Sequence, residues 1–114
     1  MNNKICSPCG LLPENLAKKE RLSKGEIQKQ LRGTGWKFKN NKIVRDFEFK
    51  SFLKALDFVN KVAKIANSKE VFHHPDIIMH DWKSVRIEST THDVGYKITE
   101  RDFKLAHGID KIKL

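Results

Sequence analysis

The sequence predicts an α+β domain whose strands pair antiparallel and whose helices pack on one face of the sheet. Three observations carry this. Apolar spacing switches between the helical and the alternating period in the order helix, hairpin, helix, two strands, helix. Two of the helix starts carry reciprocal capping pairs, Ser23 with Glu26 and Thr99 with Asp102. A length of 114 residues fits one core and leaves no room for a second.

Taken in order, residues 1–20 read as an irregular arm carrying a Cys-x-x-Cys pair, because Pro8, Gly10 and Pro13 interrupt any regular element. Residues 21–114 form the single domain. Ser23 caps the first helix, with Leu22 and Ile27 placed as an apolar staple, and Gly33 and Gly35 end it through the left-handed conformation open to glycine. Trp36 and Phe38 alternate with Lys37 and Lys39, as in a half-buried strand. Asn40-Asn41 supplies the turn, and Ile43, Arg45, Phe47 and Phe49 share one face of the returning strand.

Ser51 caps a second helix reaching about Asn67, with Phe52, Ala55, Leu56, Val59, Val62, Ala63 and Ala66 as its core stripe. His73 to Met79 reads as extended, since Pro75 excludes a helix interior. Lys83 to His92 is the clearest strand, with Val85, Ile87, Ser89 and Thr91 on one face and Arg86, Glu88, Thr90 and His92 on the other. Thr99 starts the last helix, buried along Phe103, Ala106 and Ile109.

Composition excludes several classes. Hydrophobic residues at 39% and charged residues at 32% are a globular mix rather than a disordered one. No apolar run approaches the roughly 20 residues of a membrane span. The start, Met1 to Cys6, lacks the apolar core of a secretion signal, so the expectation is a cytoplasmic protein with Cys6 and Cys9 as reduced thiols. That cysteine pair is half of a zinc ribbon without its other half, and no metal is expected. The net charge of +9 raises a polyanion partner. Acidic residues interrupt the basic run, and in Trp36–Lys39 rings and amines fall on opposite faces, so a solvated surface is expected and nucleic acid is not.

Chemistry concentrates between residues 73 and 102. His73, His74 and His92 lie in one short stretch, and imidazole exchanges a proton near pH 7 at small energetic cost. This points to acid–base catalysis on a small molecule. Adjacent strand residues face opposite ways, so His73 and His74 take different parts. His73 and His92 are the expected proton-transferring pair, with His74 orienting the substrate or acting as base. His80 and His107 are read as incidental.

The string His73-His74-Pro75, Trp82, His92 and Asp102 resembles the signature of the pterin-4α-carbinolamine dehydratases. Thr90-Thr91-His92-Asp93 is similar to that family's strand end, and Thr99-Glu100-Arg101-Asp102 to its helix start. The element order is similar from about residue 22 to residue 110. The resemblance implies a four-stranded antiparallel sheet with helices on one face, assembled as a homo-dimer or homo-tetramer. It implies dehydration of a 4a-hydroxytetrahydropterin to the quinonoid dihydropterin, in tetrahydrobiopterin recycling, with neither metal nor organic cofactor.

It also implies a site: His73, His74 and His92 catalytic, with Trp82, Thr91, Asp102 and Lys69 on the substrate side. Lys69 departs from the pattern, because the family often places glutamate four positions before the first histidine. Asp102 has a capping role in any case, and Trp82 serves as either a packing residue or a pterin platform. The alternative is a non-enzymatic dimerisation or binding module of the same fold, acting on a protein or nucleic-acid partner.

Overall fold

A computed structural model describes residues 21–113, so the expected arm at residues 1–20, with Cys6 and Cys9, lies outside the described residues. The chain runs α1 (Lys24–Leu31), β1 (Lys37–Lys39), β2 (Lys42–Glu48), α2 (Phe52–Ala66), β3 (Asp76–His80), β4 (Ser84–Ser89) and α3 (Glu100–Asp110), with a 3-10 turn at His92–Val94 before α3. The strands form one four-stranded antiparallel sheet, as expected, and their order in it is β1-β2-β4-β3.

Local chemistry accounts for the boundaries. Ser23 and Glu26 form the capping box of α1, and Thr99 and Asp102 that of α3. Ser51 caps α2 by accepting a hydrogen bond from the Lys54 N–H. Asn40 and Asn41, both at positive φ, make the two-residue turn between β1 and β2. Of Gly33 and Gly35, expected to end α1 together, Gly33 alone takes the left-handed conformation (φ 79°). Gly35 is there for a different reason: a Cβ would come 2.7 Å from the Arg45 side chain.

The core lies between one sheet face and the helices. Ile43 and Phe47 of β2 and Val85 and Ile87 of β4 meet Ala55, Phe58 and Val62 of α2 and Phe103, Leu105 and Ile109 of α3. Phe58 is its centre, with ring centroids 4.5 Å from Phe47 and 5.0 Å from Phe49. Gly108 lets α3 approach α2, since a Cβ there would come 2.8 Å from Ile65 Cγ2. The opposite sheet face carries Asp46, Arg86, Glu88 and Lys42, joined by ion pairs. The Lys42 amine bridges Glu88 and Asp76, which face each other as like charges across β3 and β4.

Several expectations are corrected. The α2 stripe runs through Ala55, Phe58, Val62 and Ala66, with Val59 and Ile65 partly buried, whereas Phe52, Leu56 and Ala63 are exposed. A stripe drawn from Phe52 is rotated by part of a turn from one drawn through Phe58, and the sheet aromatics select the latter. β3 starts at Asp76 rather than His73. β4 ends at Ser89, because Thr91 leaves the ladder to bridge Lys97 and His92 opens the 3-10 turn. Thr90, expected on the open face, is buried with its hydroxyl donating to the Asn41 carbonyl.

Candidate active site

The end of β4, the start of α3 and the segment leading into β3 meet at one buried carboxylate. Asp102, in the first turn of α3, is 0% exposed. Its Oδ1 accepts from His73 Nε2 at 2.7 Å and from Ser89 Oγ at 2.5 Å. Its Oδ2 accepts from Thr91 Oγ1 at 2.8 Å and from the Thr99 backbone N–H at 2.9 Å. The Thr91 and Thr99 hydroxyls are also 2.8 Å apart. A burial this complete is tolerable for a carboxylate only when its lone pairs are satisfied, and here four donors converge on it. Capping alone needs one of them.

The same geometry fixes His73. An ionised carboxylate only accepts, so it takes the Nε2 hydrogen, and in the neutral ring that leaves the lone pair on Nδ1. The ring is almost wholly buried, and its backbone N–H donates to the Ala66 carbonyl at 3.0 Å, which ties it to the end of α2. His74 points elsewhere: it is exposed, and its Nε2 meets Asn67 Oδ1 at 3.2 Å. A cavity of about 460 Å³ opens beside it, lined by Asn67, His74, Pro75 and Ile77 among others. His92 is exposed, and its ring nitrogens have no hydrogen-bond partner among the described residues. It follows Thr91 directly, so Asp102 links His73 to the residue before His92.

Two residues missed by the sequence reading border the histidines. Phe72 packs edge-on against His74, with centroids 5.1 Å apart, and Tyr96 packs against His92 at 4.9 Å. Both rings are largely exposed, at 61% and 58%. Both sit at positive φ, 35° and 61°, where residues other than glycine and asparagine are uncommon. Ser89 was also missed as a site residue. Its signal is a hydroxyl on a strand face that is otherwise Val85 and Ile87.

The remaining candidates separate. Thr91 and Asp102 belong to the cluster. Lys69 is exposed in the same α2–β3 connection as His73 and His74. Trp82 is not brought to the site: it occupies the β3–β4 turn, at the opposite end of that hairpin from His73 and Ser89. It is 58% exposed with φ 51°, so it is no packing residue either, and Lys83 lies over its ring at 5.5 Å. The His80 side chain pairs with the neighbouring Asp81. Among the described residues no helix is long and apolar enough to cross a membrane.

A comparison with protein-family models matches residues 20–112 to the family described as Pterin 4 alpha carbinolamine dehydratase. A protein of Sulfolobus acidocaldarius bearing that family's name is 39% identical over 94 residues, covering 82% of this chain and 99% of the relative. The mitochondrial pterin-4-alpha-carbinolamine dehydratase 2 of Arabidopsis thaliana is 36% identical over 118 aligned residues, with 100% of this chain and 59% of the relative covered. Among solved structures, a transcriptional coactivator/pterin dehydratase from Brucella melitensis superposes with a TM-score of 0.69 at 30% identity, over 79% of this chain and 95% of that one.

Proposed function

The chain belongs to the pterin 4 alpha carbinolamine dehydratase family, a family of hydro-lyases, and we propose that it dehydrates a 4a-hydroxytetrahydropterin by histidine acid–base catalysis, within tetrahydrobiopterin recycling. The observation carrying this reading is the Asp102 carboxylate, which orients His73 and links it to Thr91, the residue before His92.

In this reaction the C–O bond of the carbinolamine breaks and the hydroxyl leaves as water, taking a proton from an acid. A base takes the proton of the ring nitrogen, and a C=N bond forms. His73 suits the base. Its Nδ1 holds the free lone pair, and the Asp102 carboxylate stabilises the imidazolium once the proton arrives. His92, solvent-facing and unengaged, supplies the proton to the departing oxygen. Each such transfer is typically worth about 10²–10⁴-fold. His74, held by Asn67, orients the pterin. Phe72 and Tyr96 offer ring faces beside the flat substrate. Phe52, Leu53 and Leu56 leave an apolar face of α2 in solvent, which supports assembly as a homo-dimer or homo-tetramer.

The test is turnover of a 4a-hydroxytetrahydropterin generated in situ. A rate well above spontaneous dehydration supports the reading. A rate equal to it, from folded protein, overturns it for this substrate.

A further inference from the structure

Away from the histidines, the β1 edge of the sheet is flanked by two grooves. One, of about 640 Å³, lies between α1 and β1 and is lined by Lys24, Gln28, Leu31, Arg32, Lys37, Phe38, Lys39 and Asn40. It holds four cations and no acid. The other, of about 540 Å³, continues over the open sheet face past Lys37, Lys39 and Lys42 to Arg86. Its acids are already engaged: Glu88 by Lys42, and Asp46 chiefly by Arg86, with Lys37 a lesser influence. Lys24, Arg32, Lys37 and Lys39 form no ion pair among the described residues. Cations therefore stand on both walls of the first groove, above a partly buried apolar floor of Leu31 and Phe38.

We propose that this edge docks an extended polypeptide segment of alternating acidic and apolar residues, added beside β1 as a fifth strand. The backbone supplies the first reason. A two-residue turn makes Lys39 and Lys42 a hydrogen-bonded pair, so Phe38 and Ile43 form the non-bonded pair and the Phe38 N–H and C=O point outward from the sheet. An added strand satisfies both groups, and a nucleic acid does not. Side-chain spacing supplies the second. Lys37 and Lys39 lie roughly 6.6 Å apart on the open face, the repeat of alternate residues in an extended chain. Phe38 and Leu31 lie on the helix side, where the intervening apolar residues would go.

Charge complementarity removes the nearest rivals. A second copy added at this edge would set its own Lys37 and Lys39 against these same cations, so like charges disfavour that pairing. The chain's own residues 1–20 hold Lys4, Lys18 and Lys19 against Glu14 and Glu20, so they are basic too. Single-stranded nucleic acid is held by stacking on exposed rings, and Phe38, partly buried, is the one ring lining these grooves.

The test uses the full chain and fluorescence anisotropy with a labelled octapeptide of alternating glutamate and valine. Three probes are compared with it: a glutamine-for-glutamate version, a version N-methylated along the edge facing β1, and an oligothymidylate of equal charge. The proposal expects the acidic peptide to bind, with affinity reduced about tenfold or more by each peptide change and by Lys37→Glu/Lys39→Glu. Tighter binding of the oligothymidylate overturns it in favour of nucleic acid. Undiminished binding of the N-methylated peptide overturns strand addition, and absence of peptide binding at low salt overturns the site. The peptide comparisons decide the matter even if the double variant fails to fold.

Discussion

Replacing Asp102 by Asn separates the structural work of this carboxylate from its control of His73. Four donors converge on it: His73 Nε2, the Ser89 and Thr91 hydroxyls and the Thr99 N–H. The Thr99 N–H cannot change its direction, so the asparagine oxygen must take the place of Oδ2 and serve Thr91 and Thr99. Its NH₂ then occupies the place of Oδ1. The Ser89 hydroxyl can rotate to accept. His73 can accept only by moving its hydrogen from Nε2 to Nδ1, which removes the lone pair proposed to take the substrate proton.

The expected outcome is therefore a folded protein, destabilised by about 1–3 kcal/mol for the weakened hydrogen bonds, with turnover reduced by roughly 10²–10⁴-fold for the lost proton transfer. Asp102→Ala leaves His73, Ser89 and the Thr99 N–H without their acceptor in the core, the Thr91 hydroxyl retaining Thr99, and should cost about 3–5 kcal/mol. Urea unfolding measures the stabilities, and ¹⁵N spectra of the imidazoles read the His73 tautomer. If Asp102→Asn keeps wild-type turnover with Nε2 still protonated, the reasoning fails.

Other outcomes follow from single residues. Phe58→Ala, which empties the stack against Phe47 and Phe49, should cost about 3–5 kcal/mol in urea unfolding. Tyr96→Gly should raise stability by no more than about 1.5 kcal/mol, because relief of the left-handed backbone, about 1–2 kcal/mol, is partly offset by glycine's added chain freedom, about 0.5–1 kcal/mol. Its KM should rise several-fold if the ring contacts the pterin, so a KM unchanged in steady-state kinetics removes that contact. The Arg86 hydrogen bond holds the Asp46 carboxyl below its ordinary value of 3.8. A depressed aspartate stabilises the fold above its unfolded value and loses that contribution as pH falls through the folded one. Thermal unfolding should thus show a small loss below about pH 4, muted by salt because both side chains are half exposed.

Much of this was legible in the chain itself. Capping pairs and the Asn40-Asn41 turn are local chemistry, and they placed α1, α3 and the first hairpin correctly. The stripe of α2 was right at Ala55, Val59, Val62 and Ala66 and wrong at its edge, because Phe52 and Phe58 both lie three residues from Ala55 and only the sheet aromatics distinguish them. At the site, His73, Thr91 and Asp102 meet, while His74 and His92 flank them from adjacent positions in sequence. Trp82 was drawn in by sequence distance, yet a hairpin carries its turn away from its ends. Phe72 and Tyr96 left no signal, since positive φ at an aromatic residue is set by the surrounding loop and not by the residue.

The proposed acid–base pair is tested most directly by turnover of the in situ carbinolamine with His73→Ala and His92→Ala, each first shown to be folded by circular dichroism. The expected result is a fall in both toward the spontaneous rate, while the same variants still quench the fluorescence of a bound pterin analogue. Wild-type turnover in either variant would contradict the assignment of that histidine to proton transfer.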